Sequence, residues 1–207
     1  MIGFPSTAYV GRRMPKEAFY KQLSLTADVR QSFVSDVQRI TMEYVLTPES
    51  IHVDICDDLK EILILELQMK GTDSDYRIIE NIARQNQHKI LFHLKYDTKE
   101  QLALYQGKLY KTDWRDSADF ELRLFGNNLI EIWEGFIEQI ALPDEAGPVE
   151  NLSIDTRLKN QENIKRLQKE IDRMERMTRK EQQPKLKFEL YQKLQEKKRE
   201  LEEMVNG

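Results

Sequence analysis

Asp54, Gln68 and Lys70 are the residues whose types and spacing could do chemistry. They lie in "SIHVDI" and "EILILELQMK", two segments that alternate like strands, with Asp54 fourteen positions before Gln68. An acidic residue on one strand and an (E/Q)-x-K on the next is the metal-binding arrangement of one large nuclease class. Phosphodiester hydrolysis of that kind needs carboxylates to hold Mg2+ and a lysine to position or activate water. Glu66, on the same strand face as Gln68 and Lys70, or Asp57 would have to help. Gln68 stands where a carboxylate is preferred, and polar residues at a strand end are also what any solvent-exposed strand shows. Catalysis is therefore the alternative reading, with Mg2+ as a cofactor under that alternative alone.

A second constellation is aromatic and basic. Tyr105, Tyr110 and Trp114 interleave with Lys108, Lys111 and Arg115, which suits stacking of single-stranded bases. The same alternation describes a half-buried strand with an aromatic core face. Arg12, Arg13 and Lys16 form a small basic cluster ahead of the first helix. His52, His88 and His93 come from different segments, and no pair has the short helical spacing of a zinc site, so no metal is expected from them. Cys56 sits beside Asp57 and Asp58, a setting that disfavours a reactive thiolate. No P-loop, nucleophile elbow or glycine-rich dinucleotide turn is present.

These residues need elements to hold them. "MPKEAFYKQL" reads as a short helix, and "SLTADVRQSFVSDVQRITMEYVL" as a longer one with Val29, Phe33, Val37 and Ile40 on one face, ended by Thr47-Pro48. "SIHVDI" and "EILILELQMK" follow as strands of a hairpin joined by "CDDLK". "DSDYRIIENIARQNQ" reads as an amphipathic helix and "KILFHLKYD" as a strand, a crossover unit whose two strands are parallel. "EQLALYQGKLYKTDW" gives two extended segments around Gly107, "FELRLF" a further short strand, and "NNLIEIWEGFIEQIAL" a closing helix. The expected fold class is a mixed-sheet α/β (α+β) domain flanked by helices, spanning 1–142.

"PDEAGPVENLSIDT", 143–156, reads as a linker. Over 157–207 the pattern becomes heptads: Ile164, Leu167, Ile171 and Met174, then Leu190, Leu194, Leu201 and Met204, with Lys197 in the seam. Pro184 interrupts them, so two antiparallel helices of a coiled-coil hairpin are preferred to one kinked helix that dimerises. The residues expected to close the hairpin or contact a partner are Ile164, Leu167, Ile171, Leu190, Leu194 and Leu201. Self-association through the seam is compatible with the pattern.

Charge separates the two parts. Residues 1–150 hold 17 Lys and Arg against 25 Asp and Glu, and residues 151–207 hold 15 against 11. An acidic domain repels phosphate overall. With a mean hydropathy of −0.66, no apolar run of transmembrane length and no secretory h-region, the chain reads as cytoplasmic and not membrane-bound. One cysteine excludes an intrachain disulfide.

"GRRMPKEAFY", "LTPESIHV", "EILILELQMKG", "HKILFHLKY", "LYKTDW" and "LIEIWEGFIEQI", with the tail "KEQQPKLKFELYQKL", resemble the bacterial domain-of-unknown-function family 4391 over nearly the whole chain. That resemblance implies a small partner protein encoded beside helicases and DNA methyltransferases, in restriction-like or antiphage clusters. It supplies no catalytic residues. The expected function is a non-enzymatic adaptor or accessory subunit of a nucleic-acid-processing defence complex, with a helicase or DNA methyltransferase as partner. The alternatives are a divergent PD-(D/E)xK-like nuclease, or a single-stranded nucleic-acid module using Lys108, Tyr110, Lys111, Trp114 and Arg115 with a basic hairpin tip at Arg176, Arg179 and Lys180.

Overall fold

The alternating run Ile62–Met69 becomes the central strand of a seven-stranded sheet. In the computed structural model, which describes residues 3–119, 121–142 and 152–206, the strands are β1 (Tyr9–Met14), β2 (Val37–Leu46), β3 (Ile62–Met69), β4 (Lys89–Tyr96), β5 (Lys99–Gln106), β6 (Lys108–Lys111) and β7 (Arg115–Asp116). The order is β1-β2-β3-β4-β5-β6, with β7 pairing the start of β5. All pairs are antiparallel except β3–β4. That parallel pair is joined by a helix, as the crossover pattern requires. Gly107, at φ +70, makes the tight β5–β6 turn in a left-handed conformation that glycine adopts without a Cβ clash.

Helices cover both faces. Leu63, Leu65, Leu67 and Met69 of β3 join Ile90, Phe92 and Leu94 of β4 in the main core. Over them lie α2 (Ala27–Asp36) through Val29 and Phe33, and α4 (Arg77–Arg84) through Ile78, Ile79 and Ile82. Phe19 of α1 (Lys16–Gln22) packs at the margin of the same core. The opposite face is covered at one end by α5 (Leu129–Ala141), whose Asn128 cap accepts hydrogen bonds from the Ile130 and Glu131 amides. Trp133 of α5 lies against Lys89, and Phe136 against Phe4, which in turn meets Tyr44.

Four sequence expectations need correction. The long helix over Ser24–Leu46 is α2 followed directly by β2. Val29, Phe33, Val37 and Ile40 satisfy a helical period, but Val37–Leu46 is rich in β-branched and aromatic residues and gains two strand neighbours, which outweighs a weak helical preference. "SIHVDI" is not a strand. Thr47 and Ser50 form a reciprocal capping box with Pro48 at the first helical position, giving one turn, α3 (Pro48–Ile51), before His52 turns left-handed. Asp54 then makes only an isolated bridge to Asn128, so the antiparallel partner of β3 is β2. Residues 121–125 of "FELRLF" form no strand, and Leu122 is buried. The edge strand β1 lies over residues the sequence pattern left unassigned.

The chain divides into two units, Met1–Glu145 and Ala146–Gly207. Residues 143–151 of the expected linker lie outside the described residues. Ser153 caps α6 (Ile154–Lys180), so the helix starts inside the span read as linker. After Glu181–Gln183, Pro184 opens α7 (Pro184–Asn206), where its missing N–H costs nothing. The two arms form the expected antiparallel hairpin: Leu167, Ile171 and Leu194 are buried together, with Met174, Leu201 and Met204 packed on them.

Candidate functional site

Past the reach of α5, the second face of the sheet turns polar. Alternation places Glu66 and Gln68 of β3 on that face, opposite the core leucines. The same alternation adds His93 and Lys95 from β4 and Glu100 from β5, which is registered with Lys95. β2 contributes through an irregularity: Met42 pairs with Leu65 and Tyr44 with Ile64, leaving Glu43 as the extra residue of a β-bulge. A bulge re-aims the side chain it carries, and here it turns Glu43 toward His93.

The result is one continuous ion network. His93, 1% exposed, stands 3.0 Å through Nδ1 from Glu43 Oε2 and 3.0 Å through Nε2 from Glu100 Oε2. With both carboxylates ionised each can only accept, so both ring nitrogens donate and the ring is then an imidazolium. Lys95 Nζ donates to Glu66 Oε2 at 2.8 Å and reaches Glu43 Oε1 at 3.4 Å. Arg39 lies 3.6 Å from Glu66 Oε1. Three carboxylates thus meet three cations, and the group is neutral.

The titration directions follow from this pairing. Burial opposes charge on His93, but the hydrogen bonds to Glu100 and Glu43 outweigh it and raise the pKa. Burial likewise works against Glu43, and the His93 hydrogen bond with the charges of His93 and Lys95 still brings its pKa down. The His93 hydrogen bond, working against burial, takes the Glu100 carboxyl down to about 2. Lys95 is raised, its burial outweighed by Glu66 and by the charges of Glu43 and Glu100. Every buried side-chain nitrogen and oxygen among the described residues has a hydrogen-bond partner. No group of three or more His, Cys, Asp and Glu among those residues is arranged to hold a metal. The network links four strands, β2 through Arg39 and Glu43, β3 through Glu66, β4 through His93 and Lys95, and β5 through Glu100.

The residues singled out from sequence fall elsewhere. Asp54 lies near the Ile62 end of β3, since Val53 bonds Pro48 and Leu46 pairs with Ile62. Gln68 is six residues further along β3, about 20 Å at a strand's rise. Lys70 places its Nζ on the Val34 carbonyl at 2.9 Å. The structure does not gather Asp54, Gln68 and Lys70 into one cluster. The aromatic and basic segment is divided as well. Tyr110 is registered with Leu104 and Tyr105 with Leu109, so the two rings point to opposite faces. Trp114 packs on the core and donates its indole N–H to Thr72 O at 3.1 Å. Lys108 lies over Tyr110, Lys111 over Tyr76, and Arg115 is registered with Glu100. His88 pairs with Glu61 at the surface, and Cys56 Sγ lies 3.2 Å from Leu59 O.

In the hairpin, Leu167, Ile171, Leu194 and Leu201 close the seam, with Ile164 and Leu190 half-buried. Lys197 leaves the seam to pair with Glu200 at 2.8 Å and Glu170 at 3.7 Å. Lys198 joins Glu175 at 2.7 Å across the arms. Off the seam, Met177, Leu186, Phe188 and Tyr191 are exposed by 41–61%, all near the turn at Glu181–Gln183. Residues 173–193 carry seven Lys and Arg, Arg176, Arg179 and Lys180 among them, against three Asp and Glu. Phe188 and Tyr191 are not among the residues that the heptad pattern selects. Their signal there is two aromatics at positions the seam does not use.

The fold is a mixed-sheet unit with flanking helices followed by a helical hairpin. The chain matches the model of the domain of unknown function DUF4391 over residues 2–201, and it belongs to that family. Comparison with curated proteins and with solved structures finds no match to either. No helix among the described residues is long and apolar enough to cross a membrane.

Proposed function

We propose that the protein is a non-enzymatic adaptor that acts in the cytoplasm through its helical hairpin. The carrying observation is the exposed set Met177, Leu186, Phe188 and Tyr191, on arms that already bury their own seam. Seam closure as a short antiparallel coiled coil holds the tip rigid, and the exposed aromatics then act as preorganised anchors. The tip's net charge of +4 over residues 173–193 suits an acidic protein surface with an apolar slot, where charge steers the encounter and the aromatics hold it. The family likeness directs the choice of partner toward a helicase or DNA methyltransferase of an antiphage assembly.

Affinity purification of the full chain from its native host, followed by mass spectrometry, tests this reading. The expected result is a stoichiometric helicase or methyltransferase, kept by Lys70→Ala and lost by Phe188→Ser combined with Tyr191→Ser. Equal capture by the double variant, or no stoichiometric partner, overturns it.

A further inference from the structure

Residues 1–150 are acidic overall, yet one corner of the sheet has the opposite sign. A groove of about 340 Å³ opens where β1 ends, α1 begins and β2 starts, lined by Arg13, Lys16 and Arg39, with Glu17 as the carboxylate in its wall. Arg13 is registered with Thr41, so alternation puts it on the same sheet face as Arg39. Arg12, its neighbour in β1, points to the other face. Lys16 Nζ donates to the Val37 carbonyl at 2.6 Å, and Lys70 Nζ donates to the Val34 carbonyl at 2.9 Å. A main-chain oxygen thus fixes the Lys16 ammonium in the groove, with the Glu17 carboxylate as the anion beside it. The Lys16 pKa is lowered, first by burial and then by the Lys70 charge. Arg39 keeps half its side chain exposed beside its 3.6 Å contact with Glu66.

We propose that this groove is a phosphate-binding site. Arg13 presents a planar fork to phosphate oxygens, Lys16 adds a point charge, and Arg39 turns the half of its side chain that its Glu66 contact leaves exposed toward the same groove. The acidity of the surrounding unit disfavours a long polyanion tracked over its surface and favours one phosphate group held locally. That group can come from a small phosphorylated molecule or from the end of a nucleic-acid strand.

Titration calorimetry on the full chain at low salt separates the two sources. The probes are inorganic phosphate, a hexathymidylate with a 5′-phosphate, and the same strand with a 5′-hydroxyl. Expected is binding of inorganic phosphate, weakened about tenfold by Arg13→Gln, the loss of a charge-assisted contact. Arg13→Gln should leave the melting temperature unchanged, because Arg13 is exposed. Arg176→Gln combined with Arg179→Gln, at the hairpin tip, should leave binding as in the wild type. Preference for the 5′-phosphorylated strand assigns the site to strand ends, and equal weak binding of both strands assigns it to small molecules. Absence of binding by inorganic phosphate and the phosphorylated strand, or binding that Arg13→Gln leaves within about twofold, overturns the proposal. The groove and the hairpin tip share no residue, so this result stands apart from the partner capture.

Discussion

His93 and Glu43 stand on strands that are not neighbours, yet Nδ1 and Oε2 meet at 3.0 Å over the intervening β3. The bulge at Glu43 makes this reach possible. With Glu100 on the other ring nitrogen, the imidazolium ties β2, β4 and β5 together on the face that the core leucines leave uncovered.

Removing the imidazolium should be costly. His93→Leu leaves two carboxylates facing each other without their cation, and breaking a buried pair on one side costs about 3–5 kcal/mol. Urea denaturation of the variant should show a loss of that order. A loss under about 1 kcal/mol would mean the ring contributes little beyond its volume.

The network also sets a pH window. His93 is raised above 6.5 in the folded protein, so its contribution is whole below 6.5 and is lost as pH rises through the folded value. Glu100 is lowered from 4.5 to about 2, so its contribution is whole above 4.5 and is lost as pH falls toward 2. Glu43 behaves as Glu100 does. Stability followed from pH 2 to 9 should therefore peak between about 4.5 and 6.5 in its network component, and His93→Gln should flatten the alkaline limb. An unchanged alkaline limb in His93→Gln would show that other groups produce it.

Glu43→Gln keeps a polar side chain in the bulge and removes its charge. The His93 pKa, read from ring resonances by NMR, should move down relative to the wild type. Because the bulge is backbone geometry, amide shifts along β2 should change only near residue 43.

The hairpin seam should respond to a single truncation. Leu194 is 5% exposed against Leu167 and Ile171, and Leu194→Ala should cost about 2–5 kcal/mol. Circular dichroism should show part of the helical signal melting earlier while the sheet transition stays in place. Lys197→Leu should do the reverse and raise the hairpin's melting temperature, at the expense of the Lys197–Glu170 contact between arms.

Purified wild type with Mg2+ or Mn2+ should show no DNA cleavage that Lys70→Ala abolishes. Lys70 is engaged with the Val34 carbonyl, and Asp54 lies toward the other end of β3. Metal-dependent cutting lost in Lys70→Ala would favour the nuclease alternative over the adaptor.

Much of the fold was legible, and the reasons are local. Leu63, Leu65, Leu67 and Met69 alternate without competition, so β3 and its parallel partner could be read directly, and Pro184 announced the fold-back of the hairpin. β2 was not legible because Val29, Phe33, Val37 and Ile40 fit a helical period across the boundary between α2 and β2. That error hid the ion network. Glu43 is fifty residues from His93, and it enters the network only through a bulge that no spacing rule encodes. The Thr47 to Ser50 capping box is present in the sequence, but the Thr47-Pro48 pair by itself signals a helix stop rather than a helix start.

Apart from β7, each strand of the sheet lies beside the strand that precedes it in the chain. The arms of the hairpin are likewise joined by three residues, Glu181–Gln183. Neighbouring strands therefore meet in chain order, while the Phe4–Phe136 and Asp54–Asn128 contacts wait for α5. During synthesis the sheet can be laid down strand by strand from β1, each arrival covering the open edge left by the one before. The hairpin can close as soon as α7 emerges. In a chain built in this order each unpaired edge is open only until the next strand arrives, and the contacts of α5 close the sheet unit last.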